Sequence, residues 1–366
     1  MSHIRLINVT KRFGSVTAVN ALNLEIAKGE CFSMLGPSGC GKTTTLRMLA
    51  GFEDLTDGEI HVGDRLFSSP RKKFYLPPEK RDFGMVFQAF AVWPHLSVYE
   101  NVAFPLRIRK FSASEIDRRT KDALHSTNLL AAAKDSPENL SGGGKQRVAL
   151  ARALAINSDV MLLDEPLSSL DPHLREEMRF EIKDLQRAYG FSIIYVTHDQ
   201  AEAMALSDRI LVMKQGEIQQ VDTPLNVYNN PANRFVFSFI GLSNFLEVAA
   251  RDGNLRTCRG DCPLRDALPR KKKQDAPGEG NEPPETLLAA QNFVLASRPS
   301  EINFTAEGGL RGIVVRKSFL GEIVDYQIKA GEQTLRVQKG RRAPGPEAGE
   351  ACGISFLRPF WYAGEK

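Results

Sequence analysis

The sequence lacks any long apolar run. None of its apolar stretches approaches the roughly 18 consecutive residues that a membrane-spanning helix needs. The first residues, Met1–Arg5, include polar and charged side chains and no apolar core of a signal peptide. The pattern excludes a bundle of membrane helices, and we expect the chain to stay in the cytoplasm.

The chain also has few cysteines and a small net charge. Five cysteines are too few, and odd in number, for a disulfide framework, which indicates reduced thiols. Cys258 and Cys262 could pair or hold a metal, but their spacing without a nearby histidine favours free side chains. A net charge of +4 predicts no nucleic-acid partner, and we interpret the basic run 270–273 as a solvated loop.

What remains is typical of a globular protein with two domains, given a length of 366 residues. Up to about residue 230, strand-like runs alternate with helical ones, which predicts an α/β domain. Half-buried strands are predicted at 4–9 and 21–27, and buried parallel strands at 160–163 and 192–196.

Two segments between these strands have clear patterns. Apolar residues at helical spacing predict a helix over 172–189, and Gly190 follows as its stop signal. The segment 67–80 contains several prolines and a basic cluster, and we predict a surface loop there.

The last third of the chain is different in character. It contains short alternating runs separated by glycines, which predict strands at 293–296, 310–316, 322–329, 334–338 and 354–357. Such strands indicate a small all-β, OB-like barrel. We place the domain boundary after residue 240, and a flexible insertion at about 265–285, where proline, glycine and charge dominate.

The run Gly36–Thr43 matches a complete phosphate-binding loop, G-x-x-x-x-G-K-[ST]. Glycines let the backbone point several N–H groups at one anion, Lys42 can reach the β- and γ-phosphates, and Thr43 can hold Mg²⁺. A short apolar strand precedes the loop, and a helical run starting at the lysine follows it. The positive end of that helix adds to the anion site.

A second group of residues points to hydrolysis. The apolar strand 160–163 ends in Asp164, which can reach the Mg²⁺ of a nucleotide, and Glu165 is placed to orient an attacking water. The run Leu140–Gln146 before a helix could be an ordinary glycine-rich turn, or it could form a second anion site. A single nucleotide does not easily need two phosphate-binding sites from the same chain. We therefore expect a dimer that shares two ATP molecules, with each chain supplying one phosphate-binding site to each ATP.

Together these motifs resemble an ATP-binding-cassette (ABC) transporter ATPase, and more closely the bacterial importers that serve maltose, polyamines and ferric iron. Residues 36–43 are similar to Walker A, 160–165 to Walker B and 140–146 to the signature Leu-Ser-Gly-Gly-Gln. Residues 168–171 are similar to the D-loop, 197–199 to the switch-histidine segment and 85–88 to the Q-loop. Residues 241–366 resemble a C-terminal regulatory barrel. The resemblance implies a P-loop NTPase cassette over 1–240, with a RecA-like core and a helical subdomain at about 89–155.

The resemblance also implies a role for each site residue. Catalytic roles fall to Glu165, His198 and Gln88, and Mg²⁺ would be held by Thr43, Gln88 and Asp164. The ATP-binding residues would be Phe13, Gly36, Pro37, Ser38, Gly39, Cys40, Gly41, Lys42, Thr43 and Thr44 of one chain, with Ser141, Gly142, Gly143 and Asp171 of its partner. Phe13 would stack on adenine, although a core aromatic is the alternative. Gly144 stands where the family commonly has glutamine, which predicts weaker ATP binding between the two chains.

The resemblance further implies partners and a place in the cell. A homodimer would act with two transmembrane permease subunits, and indirectly with a solute-binding protein, at the cytoplasmic face of the inner membrane. The aromatic segment 89–102, which we take as irregular, would receive a helix of a membrane subunit, although packing within the helical subdomain is the alternative. The expected solute is ferric iron or a polyamine. A soluble ABC ATPase acting on nucleic acid or ribosomes is the alternative function.

Overall fold

The computed structural model describes residues 2–251, 254–268 and 292–364. The chain divides into two compact units, Met1–Ala232 and Asn233–Lys366. The boundary that we expected after residue 240 lies inside the second unit. Residues 269–285 of the expected insertion, which include the basic run 270–273, lie outside the described residues.

The first unit alternates strands and helices. Its strands are β1 (Ser2–Phe13), β2 (Val16–Ala27), β3 (Cys31–Leu35), β4 (Asp57–Val62), β5 (Arg65–Ser69), β6 (Phe74–Tyr75), β7 (Gly84–Val86), β8 (Val160–Asp164), β9 (Ser192–Val196), β10 (Arg209–Lys214) and β11 (Glu217–Asp222). Its helices are α1 (Lys42–Ala50), α2 (Val98–Ile108), α3 (Ala113–Ser126), α4 (Gly142–Ala155), α5 (Pro172–Tyr189), α6 (Gln200–Leu206) and α7 (Pro224–Asn229).

A six-stranded sheet in the order β11-β10-β3-β9-β8-β7 forms the centre of this unit. Strands β10, β3, β9, β8 and β7 are parallel, and β11 is antiparallel at one edge. The parallel strands predicted around 160 and 192 are β8 and β9, which the structure places as neighbours in the sheet. Because parallel strands end at one edge, the segments that follow β3, β9, β8 and β7 meet there.

Both faces of this sheet are buried. Ile193 and Tyr195 of β9 belong to a core cluster formed with helices α2–α5, whereas Ile194 and Val196 belong to a second cluster. The second cluster contains α1 and the antiparallel sheet β2-β1-β4-β5-β6. This alternation with a period of two explains why a buried parallel strand is apolar throughout.

The helix boundaries follow local sequence signals. Asp171 caps the start of α5 through a hydrogen bond to the N–H of Leu174, and Gly190 ends the helix in the left-handed conformation, as predicted. Ser97 and Glu100 form a capping box that starts α2, so Tyr99 lies on a helix and only the first part of 89–102 is irregular.

The surface loop predicted at 67–80 is wrong in its first half. Phe67 is 2% exposed and Ser69 is fully buried, because both belong to β5 within the antiparallel sheet. Strand β6 and a 3₁₀ turn, Pro78–Lys80, follow it. The prolines of this segment lie outside the strands, so they interrupt the pattern without preventing sheet pairing.

The second unit starts with one short helix and is otherwise rich in strands. Its elements are α8 (Arg234–Phe239), β12 (Asn244–Arg251), β13 (Asn254–Thr257), β14 (Asn292–Ser297), β15 (Ile302–Thr305), β16 (Leu310–Phe319), β17 (Ile323–Ala330), β18 (Gln333–Gly340), β19 (Ala351–Phe356) and β20 (Phe360–Ala363). They form two antiparallel sheets, in the orders β13-β12-β14-β20 and β15-β19-β16-β17-β18. The predicted β-rich character is confirmed.

The two sheets of this unit share one core. The side chain of Asn244 on β12 exchanges two hydrogen bonds of 2.7 Å with the backbone of Arg336 on β18, which joins the sheets. The core extends to Leu264 and Ala267, both fully buried, at the start of the expected insertion. Arg298 is 1% exposed and donates to the carbonyls of Phe237 and Leu242.

Candidate functional site

The loop Gly36–Thr43 connects the end of β3 to the start of α1. A Cβ on Gly36 would lie 2.4 Å from the carbonyl oxygen of Met213, and a Cβ on Gly41 would lie 2.5 Å from that of Ala18. Gly41 also has a φ of 107°, in the left-handed region. Glycine is therefore required at both positions, and the first turn of α1 carries no acidic residue to neutralise its positive end.

Lys42 lies inside this loop. It is 5% exposed, and its Nζ donates to the carbonyls of Gly36 at 2.7 Å and Pro37 at 3.1 Å. Among the described residues, no carboxylate forms an ion pair with it. A buried ammonium group held only by neutral partners is costly unless an anion accompanies it. The loop is therefore matched to an anionic ligand.

Thr43 and Asp164 bring two oxygens together beside the loop. The Oγ1 of Thr43 donates to the Oδ1 of Asp164 over 3.3 Å. Burial raises the pKa of Asp164, while the hydrogen bond from Thr43 opposes that shift. Hydroxyl and carboxylate oxygens are the ligands that Mg²⁺ prefers, and it usually takes only one or two protein ligands besides substrate phosphates. The pair fits that metal.

Glu165 is fixed in an uncommon backbone conformation. Its φ is 46°, in the left-handed region, which is rare for a residue with a side chain. Its N–H donates to the carbonyl of Val196 at 2.9 Å, and its carbonyl accepts from the hydroxyl of Ser168 at 2.9 Å. Strain of this kind persists where the surroundings hold the residue in place, and it is concentrated at functional sites.

The Glu165 carboxylate lies between Gln88 and His198. Its Oε2 is 3.4 Å from the Nε2 of Gln88 and 3.1 Å from the Nδ1 of His198. These three residues follow β8, β7 and β9, which are neighbouring strands. The sequence separates them widely, but the sheet brings all three predicted catalytic residues into one cluster.

Phe13 lies on the hairpin beside the phosphate loop. It is 48% exposed and pairs with Val16 of β2, two positions before Ala18, whose carbonyl meets Gly41. The ammonium group of Lys11 lies 4.8 Å from the centre of its ring. The alternative that Phe13 is an aromatic residue of the core is wrong. An exposed ring beside the phosphate loop is free to stack on a planar ligand.

The remaining predicted residues form a separate group. Ser141 caps α4 through a hydrogen bond of 3.2 Å from the N–H of Gly144. A Cβ on Gly142 would lie 3.3 Å from Leu170, and one on Gly143 would lie 2.7 Å from Leu174, so the signature turn packs beside the Asp171 cap. No hydrogen bond or ion pair of the described residues links Ser141, Gly142, Gly143 or Asp171 to the phosphate loop.

A buried network positions His198, and sequence reasoning missed it. Glu202 is 2% exposed and accepts from the hydroxyls of Tyr195 at 2.9 Å and Thr197 at 2.6 Å. Arg175 of α5 donates to Asp199 at 3.2 Å and to the carbonyl of Leu170 at 3.1 Å, and its Nε lies 3.7 Å from Glu202. The acid–x–x–Glu pattern 199–202 was a signal for a helix start, although Glu202 bonds to the strand instead.

Comparison with known proteins agrees with this geometry. The profile of the ABC transporter family matches residues 19–168, and that of the TOBE domain matches residues 295–359. A spermidine/putrescine import ATP-binding protein, PotA, of Rubrobacter xylanophilus is 44% identical over 96% of this chain and 91% of its own. The chain belongs to the ABC transporter family.

Other ABC proteins are similar over shorter lengths. The trehalose/maltose import ATP-binding protein MalK of Thermococcus litoralis is 51% identical over 69% of this chain and 69% of its own. The sn-glycerol-3-phosphate import ATP-binding protein UgpC of Cupriavidus pinatubonensis is 45% identical over 72% of this chain and 71% of its own. The names of these relatives do not mention iron, so that part of the solute expectation stays a prediction.

A solved ABC cassette has the same fold. The dimeric post-hydrolysis structure of the cassette MJ0796 bound to ADP and Pi superposes with a TM-score of 0.52 at 34% identity, covering 60% of this chain and 98% of that one. The chain is thus an ABC-type ATPase with a C-terminal TOBE domain. No helix of the described residues is long and apolar enough to cross a membrane.

Proposed function

We propose that this ABC ATPase is the ATP-hydrolysing subunit of a bacterial importer. Two copies would bind and hydrolyse Mg·ATP at their interface, at the cytoplasmic face of the inner membrane. Hydrolysis would drive solute uptake through two membrane permease subunits that receive solute from a binding protein. The observation that carries the proposal is the cluster of Gln88, Glu165 and His198 beside a phosphate loop whose lysine has no anionic partner among the described residues.

In this proposal, the first group of residues binds the nucleotide. The backbone N–H groups of residues 36–44, except Pro37, which has none, surround the phosphates at the start of α1, and Lys42 neutralises the β- and γ-oxygens. Phe13 stacks on adenine from the neighbouring hairpin. Thr43, Asp164 and the amide oxygen of Gln88 would hold Mg²⁺, which would supply positive charge beside the phosphate oxygens.

Glu165 is the general base of the proposed reaction. A water attacks the γ-phosphorus, gives one proton to the Glu165 carboxylate, and the bond from phosphorus to the ADP oxygen breaks. His198 contacts that carboxylate through Nδ1, which leaves Nε2 for the γ-phosphate. The fixed backbone of Glu165 means that little reorganisation is needed when ATP arrives.

The second group of residues acts on the partner's ATP. Ser141 and Gly142 are exposed at the start of α4, where the helix is an anion site. They have no bonded link to the phosphate loop of their own chain, so a second copy is the simplest source of a phosphate for them. Ser141, Gly142 and Gly143 would contact the γ-phosphate, and Asp171 would cross the dimer interface.

The proposed solute is a polyamine. The relative that matches 96% of this chain is a spermidine/putrescine import protein by name, which favours a polyamine over a sugar, glycerol phosphate or ferric iron. The segment around Phe90 and Trp93 would receive a helix of a permease, whose own pocket selects the solute. Solute choice therefore needs a direct test.

The test uses the complex that co-purifies with this chain, reconstituted with its binding protein. We expect spermidine to stimulate Mg·ATP turnover relative to ferric iron, maltose or no solute, and Glu165→Gln to remove that turnover. Stimulation by another solute would keep the importer and replace the polyamine. Turnover indifferent to every solute, with no permease in the complex, would favour a soluble ABC ATPase acting on nucleic acid or ribosomes.

A further inference from the structure

Arg152 is a buried cation on α4. It is 8% exposed, and its guanidinium donates to the carbonyls of Ala91 at 2.5 Å and Phe90 at 3.1 Å. The same group lies 4.8 Å from the centre of the Trp93 ring, which in turn packs against Phe104 at 4.5 Å. Arg152 thus holds the segment that follows Gln88.

That segment is strained. Phe90 and Ala91 have φ values of 48° and 49°, and the N–H of Ala91 donates to the carbonyl of Ala89 across a three-residue turn. Two consecutive residues with side chains in the left-handed region are energetically costly. Such a conformation persists only when its surroundings hold it, and both carbonyls bonded by Arg152 belong to the strained residues.

The cation has no charged partner to account for its burial. Among the described residues, no carboxylate forms an ion pair with Arg152, and burial lowers its pKa. By contrast, Arg147 on the same helix pairs with Glu181 at 2.9 Å. A buried charge held by two carbonyls and an aromatic ring is costly to keep. We infer that the role of Arg152 is to hold residues 90 and 91 in their conformation.

We propose that Arg152 is a positioning residue that couples the signature end of α4 to Gln88. This inference rests on the proposed function and adds a residue to it. Helix α4 begins at the Ser141 cap and carries Arg152 in its last turn, so a shift of the signature turn moves the guanidinium as part of one rigid rod. The carbonyls of Phe90 and Ala91 move with the guanidinium. Their movement displaces Gln88, which lies two positions before Phe90 and three before Ala91. ATP held by the partner's signature turn therefore sets the distance from Gln88 to Glu165.

The first experiment compares steady-state ATP hydrolysis by the full chain and its variants. Arg152→Lys keeps the charge but loses the forked donor, and Arg152→Met keeps most of the volume but loses the charge. We expect both to lower kcat about tenfold, the cost of a lost buried hydrogen bond, with the Kd for ATP unchanged. Arg147→Lys is the matched control on the same helix and leaves kcat at the wild-type value.

A double-mutant cycle tests the route through Gln88. If Arg152 acts through Gln88, then Gln88→Ala with Arg152→Met is no slower than Gln88→Ala alone. Additive losses would overturn the proposed coupling. Unchanged kcat in the Arg152 variants, with Gln88→Ala impaired, would overturn the inference and leave the proposed function standing. Unchanged kcat in Gln88→Ala would instead remove Gln88 from the catalytic site, and the coupling with it.

The fluorescence of Trp93 reports directly on the segment that follows Gln88. The chain has two tryptophans, so Trp361→Phe leaves Trp93 as the only tryptophan, whose emission can be excited selectively over that of tyrosine. We expect ATP to shift the emission of Trp93 in this background, and Arg152→Met to remove the shift while circular dichroism shows the same fold. An equal shift with and without Arg152 would overturn the proposal.

Discussion

At the scale of single residues, Gly144 is a departure with a structural consequence. Its N–H is bonded to Ser141, and a Cβ at this position would lie 3.0 Å from the Cβ of Leu140. A side chain therefore fits only if Leu140 moves by a few tenths of an ångström. The backbone cradle is intact, but the side-chain amide that the family resemblance predicts at this position is missing.

We expect Gly144→Gln to strengthen ATP binding between two copies. One added hydrogen bond contributes about 1 kcal/mol, or about a fivefold gain in apparent affinity. Titrating ATP against turnover measures it. Gly144→Ala is the control, since it supplies the helix propensity without the amide. No change in affinity or turnover in the glutamine variant would contradict this expectation.

The cysteines differ in reactivity for a physical reason. Burial raises the pKa of Cys31 to about 12, and burial also raises the pKa of Cys352. A raised pKa leaves a thiol protonated at pH 8, and only the thiolate reacts with alkylating reagents. Cys258 and Cys262 are partly exposed, and all five cysteines are free of disulfides.

Iodoacetamide at pH 8 should therefore label Cys258 and Cys262 well before Cys31 and Cys352. Peptide mass spectrometry at several times gives the four rates, and the same series in denaturant gives the unfolded reference. Raising the pH should accelerate labelling of Cys31, because the thiolate fraction rises until the pH passes its pKa. Labelling of Cys31 in the folded chain as fast as that of Cys262 would show that this thiol is not buried.

At the scale of elements, Arg175 ties two helix starts together. It bonds to the segment before α5 through Leu170 and to the start of α6 through Asp199. It also faces the Glu202 carboxylate, whose side chain is 3% exposed. The two helices follow the D-loop and the switch histidine, so Arg175 places those loops relative to each other.

We expect Arg175→Met to destabilise the chain by about 2 kcal/mol, because it removes the charge-assisted hydrogen bond to Asp199 and the cation that faces the buried Glu202 carboxylate. Urea unfolding measures the change, and kcat should fall with it as the His198 segment loosens. Arg118→Met is the control. Arg118 forms exposed pairs on α3, and such pairs contribute little to stability because solvent screens them. Equal midpoints for the two variants would refute the structural role of Arg175.

Elements with strong local patterns are predictable, and contacts across the sheet are not. The helix 172–189 and the strands at 160 and 192 have a clear period and clear caps, so sequence alone places them. Strand β5 is missed because nearby prolines and basic residues hide a short buried run. Arg152 and Glu202 are missed because a charged residue on a helix gives no sign that tertiary packing will bury it.

At the scale of the whole molecule, the residues proposed to bind ATP form two groups, which favours a site built from two chains. Ser141 and Asp171 lie together, while the phosphate loop, Glu165 and His198 form the other group. The motifs and their order were readable from the sequence. Their division into two clusters was not, because it depends on where the sheet puts each loop.

We expect Glu165→Gln to form a dimer with Mg·ATP and to be monomeric without nucleotide. Blocked hydrolysis keeps both ATP molecules at the interface. Adding Ser141→Arg should prevent that dimer, since a bulky cation replaces the exposed helix cap. Ser112→Arg, which alters the corresponding cap of α3, should not. Light scattering after gel filtration gives the masses, and a dimer that survives Ser141→Arg would exclude this interface.

The order of strands in the central sheet also has a consequence for synthesis on the ribosome. Strand β3 carries the phosphate loop, but its neighbours in the sheet are β9 and β10. Cys31 pairs with Ile193, and Phe32 pairs with Arg209. During translation, β3 therefore has neither of its sheet neighbours until the ribosome has passed residue 196. The nascent chain carries the whole phosphate-binding sequence early and gains the ability to hold a nucleotide late.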